Sequence, residues 1–497
     1  MTNATTRIER LPPLMQSLLP ALFLFVSLLL AVRSFGDEAV AGPIQIALVC
    51  SGLVAGAVGL ANGISWSRLE AAVSQFSSAV IIPIMLLFAI GGLIGVWLAA
   101  GVIPTLIVVG SNILHPSIFY AAVLVLCSVV AVASGSAWTT AGTIGVALIG
   151  IAQASDLSLP MTAGAIISGV YFGDKLSPLS DTTNMSSSMV GADLFTHIKA
   201  LLWTTVPAYL IALAGFLLLS LNSGQQVNTE QLAELTGTLS RSFTIGWMLL
   251  VPMGFLIALA ILRVPPLVAI LGSIAVGVVF GLVFQGPQSG ASLSGQLTSY
   301  WRITAMGFEA HTGSAQADNL LSRGGMASIL PTVWLILSAM FFSGMMERSG
   351  CLQRILGSVV GLMRTDRAIF FGAGGTALVG NIVAADQYLS IVLSTRMYAD
   401  EVRARGFRPE MLSRTAEDFG TVTSALVPWN TCGAFMAATL GVGTLAYLPF
   451  CFFNIASPLV ACIFIGAGLA IRRQEASEPF DLSKSTGSAG AAESLSK

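Results

Sequence analysis

The sequence predicts an all-α polytopic membrane protein built as an inverted repeat. Each half holds five spans and one re-entrant hairpin, with helices broken near the midplane. Three observations predict this. First, the 497 residues are 55% hydrophobic and 9% charged, whereas a soluble domain carries about a quarter charged residues. Second, runs of about 20 apolar residues recur, each long enough to cross ~30 Å of hydrocarbon. Third, landmarks of the first half return in the second at a nearly constant spacing. The bilayer is therefore the expected partner. The net charge of −1 offers no basic face for nucleic acid.

The first apolar run, near residues 14–32, has no small-residue cleavage site after it, so it reads as a retained span rather than a signal peptide. LLPALFLFVSLLLAV around Pro20 returns as LVPMGFLIALAIL around Pro252. IIPIMLLFAIGGLIGVWLAAG from Ile81 returns as ILPTVWLILSAMFFSGMMERSG from Ile329. Within that pair Pro83 and Pro331 are 248 apart, and Gly101 and Gly350 are 249 apart. The polar break SGSAWTTAGT begins at Ser134, 247 residues before NIVAADQ at Asn381. Pro178 in GDKLSPLSDTTN (173–184) lies 250 before Pro428 in LVPWNTCG, and Pro207 lies 251 before Pro458. The halves are 1–222 and 241–473, joined by a polar linker loop, 223–240. Residues 474–497 form a Ser/Ala/Gly-rich tail that reads as disordered and cytoplasmic.

Basic residues decide between parallel and inverted halves. Arg348, Arg354, Arg364 and Arg367 precede the apolar segment 368–395; Arg396, Arg403, Arg405, Arg408 and Arg414 follow it. Both clusters belong in the cytoplasm by the positive-inside rule. A single crossing would put one of them outside, whereas a hairpin that dips in and returns keeps both inside. The matching segment, 117–153, has no Lys or Arg in its flanking loops, as an external hairpin requires. This threading gives ten spans, two hairpins and cytoplasmic termini, and five spans per half make the halves inverted. The cytoplasm then holds 18 of the 23 Lys and Arg. Twelve plain spans would strand an Arg cluster outside.

Unwound backbone survives in a membrane only where protein or a cavity satisfies it. Two hairpin tips and two interrupted spans are such places, one of each per half. Their side chains are nearly all hard oxygen donors: Ser134, Thr139, Thr140, Asp181, Thr182, Thr183, Asn184, Asn381, Asp386, Gln387, Asn430 and Thr431. Oxygen-rich sets suit hard cations, and Asp181, Asn184, Asp386 and Asn430 are the expected cation ligands. Asp174, Lys175 and Asp181, left unpaired at the bilayer centre, would cost roughly 8–10 kcal/mol together, so pairing or function is required. A purely structural pairing of Lys175 with Asp174 or Asp181 competes with the functional reading. Asp181, set among cation-suited oxygens, is the leading exchange carboxylate, with Asp174 next. Glu417 and Asp418 have a local explanation as charges at a helix N-terminus. His115, His197 and His311 are isolated and read as surface residues, and the six scattered cysteines as small buried ones. No cofactor is expected, sodium and protons being the transported substrates.

GDKLSPLSDTTN closely resembles the signature of the NhaC-type sodium/proton antiporters, within the ion transporter superfamily. The second half is similar to that family in NIVAADQYLSIVLSTRMY, LSRTAEDFGTVTSALVPWNTCG and LGVGTLAYLPFCFFN. The resemblance covers most of residues 20–470. MSSSMVG after Asn184 is more Ser-rich than that pattern. The resemblance implies sodium-for-proton exchange across a bacterial inner membrane, with a site at the two broken helices. An organic acid or amino-acid transporter driven by the same ions is the alternative, and a lysine free to face the cavity would favour it. An aspartyl intramembrane enzyme lacks a matching aspartate near Pro428, and a passive channel has no need of buried titratable groups. The sequence leaves a homodimer open.

Overall fold

A computed structural model of the protein describes residues 11–473 apart from 37–38, 40–41, 114–117, 155–156, 223–228, 263, 287–291 and 361–364. The 474–497 tail lies outside the described residues. Among them the chain is helical throughout, with two isolated β-bridges and no strand. In hydrocarbon a helix satisfies its backbone within its own segment, and the long apolar runs allow little else.

The first half contains α1 (Leu14–Phe35), α2 (Pro43–Ala61), α3 (Trp66–Ala79), α4 (Ile81–Ala99), α5 (Phe119–Ser134), α6 (Val146–Ala154), α7 (Leu159–Leu176), α8 (Asp181–Val190) and α9 (Leu194–Asn222). The second contains α10 (Val251–Ile261), α11 (Pro266–Phe284), α12 (Leu293–Met306), α13 (Leu330–Arg348), α14 (Asp366–Val383), α15 (Gln387–Ala404), α16 (Pro409–Ala416), α17 (Thr431–Leu440) and α18 (Phe452–Ala467). Among the described residues six helices are long and apolar enough to cross a bilayer, and two further pairs, bent by 92° and 89°, meet the same criterion. The chain is thus a multi-pass membrane protein. Counting each bent pair as one span gives eight, short of the ten expected; Phe452–Ala467, an unbroken apolar helix of 16 residues, falls below that length. Outward faces are apolar, as lipid requires: Leu22, Phe25 and Leu30 on α1 and Leu210 and Leu218 on α9 are exposed.

Contacts between the halves are reciprocal. α4 packs on α11 and α12, whereas α13 packs on α2 and α3. Small residues make both approaches close. A Cβ on Gly92 would meet the Thr304 side chain of α12 at 3.1 Å, and one on Gly344 would meet the backbone of Val73 in α3 at 2.9 Å.

Both hairpin segments reverse direction at their tips. Along α14 and α15, Ser390 donates to the Ala377 carbonyl and Ser394 to the Ala373 carbonyl, so the arms run antiparallel. In the first half α5 lies chiefly along α7. A Cβ on Gly169 would meet the Leu124 carbonyl at 2.5 Å, and one on Gly173 would meet that of Ser128 at 2.5 Å. That register makes α5 and α7 parallel. The chain between them therefore returns to the level at which α5 began.

The linker expectation is corrected in part. Residues 229–242 of 223–240 and beyond form a helix, not a loop. Leu235 and Leu239, one turn apart, are buried and give it an apolar face.

Candidate ion-binding site

The four breaks share a plan at a spacing of 250 residues. At the tips Gly135 (φ 70°) and Ala385 (φ 54°) are both left-handed. A Cβ on Gly135 would sit 2.5 Å from that of Leu179, so only glycine fits. Ala385 carries its Cβ there at a cost of about 1–2 kcal/mol, and its carbonyl takes the Thr431 amide at 2.9 Å. Ser136 then accepts from the Thr139 amide, and Asp386 from that of Leu389. At the interrupted spans Ser180 caps α8 and Asn430 caps α17, and both helices end at left-handed glycines, Gly191 and Gly441. The tip of NIVAADQ thus matches Ser136 with Asp386, three residues out of the sequence match, because Asn381 still lies inside α14 and the turn comes after it.

In the first half the tip meets its own broken span. Asp174 is 7% exposed, and the Ser180 hydroxyl and the Ala137 amide lie beside its carboxylate. Asp181, the first residue of α8, is exposed and lies within electrostatic reach of Asp174 and of Tyr388 on α15. Thr182 and Ser180 share a hydrogen bond, and Thr183 donates to the Asp174 and Lys175 carbonyls. Asn184 ties down the Pro178 and Ser180 carbonyls. Ser134 and Thr140 bond to each other, while Thr139 bonds to Ser136. Several expected ligands are thereby committed to holding the break open.

The second half is similar. Asp386 Oδ2 accepts from the Thr431 hydroxyl at 3.1 Å. Asn430 donates to the Asn381 carbonyl at 3.1 Å, and Asn381 donates to the Gly420 carbonyl and the Thr423 hydroxyl. Gln387 accepts from Ser424 at 3.3 Å. Trp138 of the first tip stacks on Phe435 of α17 at 4.1 Å, joining the two assemblies.

Lys175 corrects an expectation. It pairs with neither Asp174 nor Asp181. It is fully buried, forms an ion pair with Asp418, and donates to Ser457 at 3.1 Å. Thr204 also donates to Asp418, at 2.9 Å. Glu417 and Asp418 do not occupy a helix N-terminus. They lie two turns beyond the start of α16, in a π-helical stretch Glu417–Thr421, and are 0% and 1% exposed. Applied to TAEDFGTVTSALVP, the charge-cost argument that singled out Asp174 would have found them. His197 is likewise not on the surface but fully buried, whereas His311 is exposed and His115 lies outside the described residues. Cys127, Cys351, Cys432 and Cys451 are buried, and Cys50 and Cys462 partly so.

Among the described residues no group of three or more His, Cys, Asp or Glu side chains could hold a metal ion. Any cation would rest on mixed carboxylate, hydroxyl, amide and carbonyl oxygens, weak ligation suited to an ion that must also leave.

The sequence profile of the Na+/H+ antiporter family matches residues 169–469. The malate-2H(+)/Na(+)-lactate antiporter of Bacillus subtilis is 34% identical over 463 residues, 93% of this chain and 94% of that protein. The Na(+)/H(+) antiporter NhaC of Alkalihalophilus pseudofirmus is 34% identical over 432 residues, 87% of this chain and 92% of that protein. The arginine/ornithine antiporter ArcD of Halobacterium salinarum is 32% identical over 464 residues, 92% of each.

Proposed function

Because the chain belongs to the Na+/H+ antiporter family, we propose that it exchanges sodium ions for protons by alternating access. The membrane is a bacterial plasma membrane, with both termini in the cytoplasm. The halves 1–222 and 241–473 act as inverted repeats around a site built from both broken spans.

One observation carries this reading: the single lysine of the four breaks is committed to Asp418. Among the described residues Asp174, Asp386 and Glu417 form no ion pair. An uncompensated buried carboxylate costs several kcal/mol, so protons or cations must neutralise these groups. A site that always needs one or the other is a site that can exchange them. Asp174 is the better exchange carboxylate. It is buried, whereas Asp181 is exposed at the amide-rich start of α8, where its charge is already compensated. Asp181 and Asn184 then guide sodium in, and Asp386, Asn430 and Thr431 supply the second half's ligands.

Relatives of this length also include the malate/lactate and arginine/ornithine antiporters. An organic solute moving with the ions is therefore the second reading. The pairing of Lys175 argues against a carboxylate cargo docked on that side chain.

The test is a sodium pulse to everted vesicles carrying a pH-sensitive dye. Sodium should move protons in the wild type and in Asp181→Asn at raised half-saturation, but not in Asp174→Asn. Proton movement that requires malate, lactate or an amino acid would favour the second reading. None under any condition would refute the first.

A further inference from the structure

A hydrogen-bonded chain of wholly buried groups leads away from the site, and the ligand set uses none of its middle members. Ser186 on α8 donates to Glu417 Oε1 at 2.9 Å and lies 3.2 Å from His197 Nε2. His197 Nδ1 lies 2.8 Å from the Ser413 hydroxyl, which also reaches the Glu410 carbonyl at 3.4 Å. Ser186, His197, Ser413 and Glu417 are each fully buried. Both ends lead somewhere. Glu417 is within electrostatic reach of Asp174. His197 is one turn into α9, its amide bonded to the carbonyl of exposed Asp193, and Glu410 pairs loosely with Arg408, 3.8 Å away in the loop before α16.

We propose that Glu417–Ser186–His197–Ser413 is a proton relay between the exchange site and the membrane face bearing Asp193 and Arg408. This rests on the antiport reading above. The link types suit the task. Each hydroxyl can donate and accept, and imidazole can accept at one nitrogen while donating at the other. In the inward step Ser413 passes its proton to Nδ1, and Nε2 passes its own to Ser186. The Ser186 proton then forms the new O–H bond on Glu417. The Glu410 carbonyl only accepts, so Ser413 takes its replacement proton from a hydronium ion that reaches its own oxygen, and that ion leaves as water. Glu417 is the one relay group whose charge changes, and sodium arriving near Asp174 favours the reverse step. Lys175, Asp418 and Asp174 face Glu417, while Lys175 and Arg414 face His197. The imidazole gives up one proton as it takes another and stays neutral, so the proton passes through rather than resting there.

The test compares two rates in the same proteoliposomes of the full chain: sodium-driven proton movement, and tracer sodium–sodium exchange, which needs no proton. His197→Gln, Ser186→Ala and Ser413→Ala should each slow proton movement about a hundredfold or more, the scale of a lost proton-transfer group, with sodium–sodium exchange within about twofold of wild type. His197→Gln keeps polar contacts to both serines, so a loss confined to proton movement is not a loss of packing. Both rates unchanged, or both falling together in all three variants, would overturn the relay. Failure of the antiport reading looks different: wild type itself would exchange sodium with no proton movement, and the relay would fall with it.

Discussion

Replacing Lys175 with methionine removes the cation from a fully buried ion pair and keeps much of the side-chain volume. Among the described residues Asp418 then keeps the hydroxyls of Thr204 and Ser457 as hydrogen-bond partners, at 2.9 and 3.4 Å, with Arg414 within electrostatic reach. Breaking such a pair from one side costs about 3–5 kcal/mol. The folding equilibrium of Lys175→Met should therefore fall by roughly a hundredfold to several thousandfold at pH 7. Equilibrium unfolding in mixed SDS micelles reads this directly. Lys175→Met/Asp418→Leu should recover most of the loss, since apolar replacement of a buried pair is often neutral. A single variant as stable as wild type, or a double variant no better than the single, would each refute the reasoning.

Other outcomes can be checked independently. Asp386→Asn keeps the shape and the cap on Leu389 but loses the charge, so half-saturating sodium should rise about 10- to 100-fold at unchanged expression, the range of one charged hydrogen bond or ligand; unchanged affinity would mean that the first half binds sodium alone. Gly173→Ala places a methyl 2.5 Å from the Ser128 carbonyl and the Ala131 Cβ, so α5 and α7 should separate at about 1–3 kcal/mol, measured as a lower melting temperature; full stability and activity would refute the close approach. In a background without the native cysteines, thiols at Ile118 and Leu159 should react with an impermeant reagent from outside, and thiols at Gln353 and Ala404 should be shielded; a split within either pair would overturn that hairpin. Apparent sodium affinity should weaken about tenfold per pH unit on acidification where one proton and one ion compete for a site; a pH-independent affinity would mean that they bind separately.

What the sequence determined by itself was local or periodic. Apolar runs forced helices because hydrocarbon leaves a backbone no other partner. Asp386 and Asn430 were legible as break residues because polar side chains in such runs must cap or bind, and here each caps the helix it opens. The repeat spacing of 248 to 251 residues was legible because prolines and glycines punctuate the helices of each half at matching places. Tertiary structure decided which charges meet. Asp174 and Asp181 are near Lys175 in the chain, yet Lys175 reaches Asp418, 243 residues away. The turn at Ser177–Ser180 sets Asp174 beside Ser180 and the tip amide of Ala137, while the stretch after α16 brings Asp418 to the lysine. His197 was misread for the same reason. Its place near a loop suggested water, but Ser186, Ser413 and the two helices that carry them close over it. Chain position fixes a residue's depth along its own helix, whereas its partners depend on how separate helices cross, which no local pattern encodes.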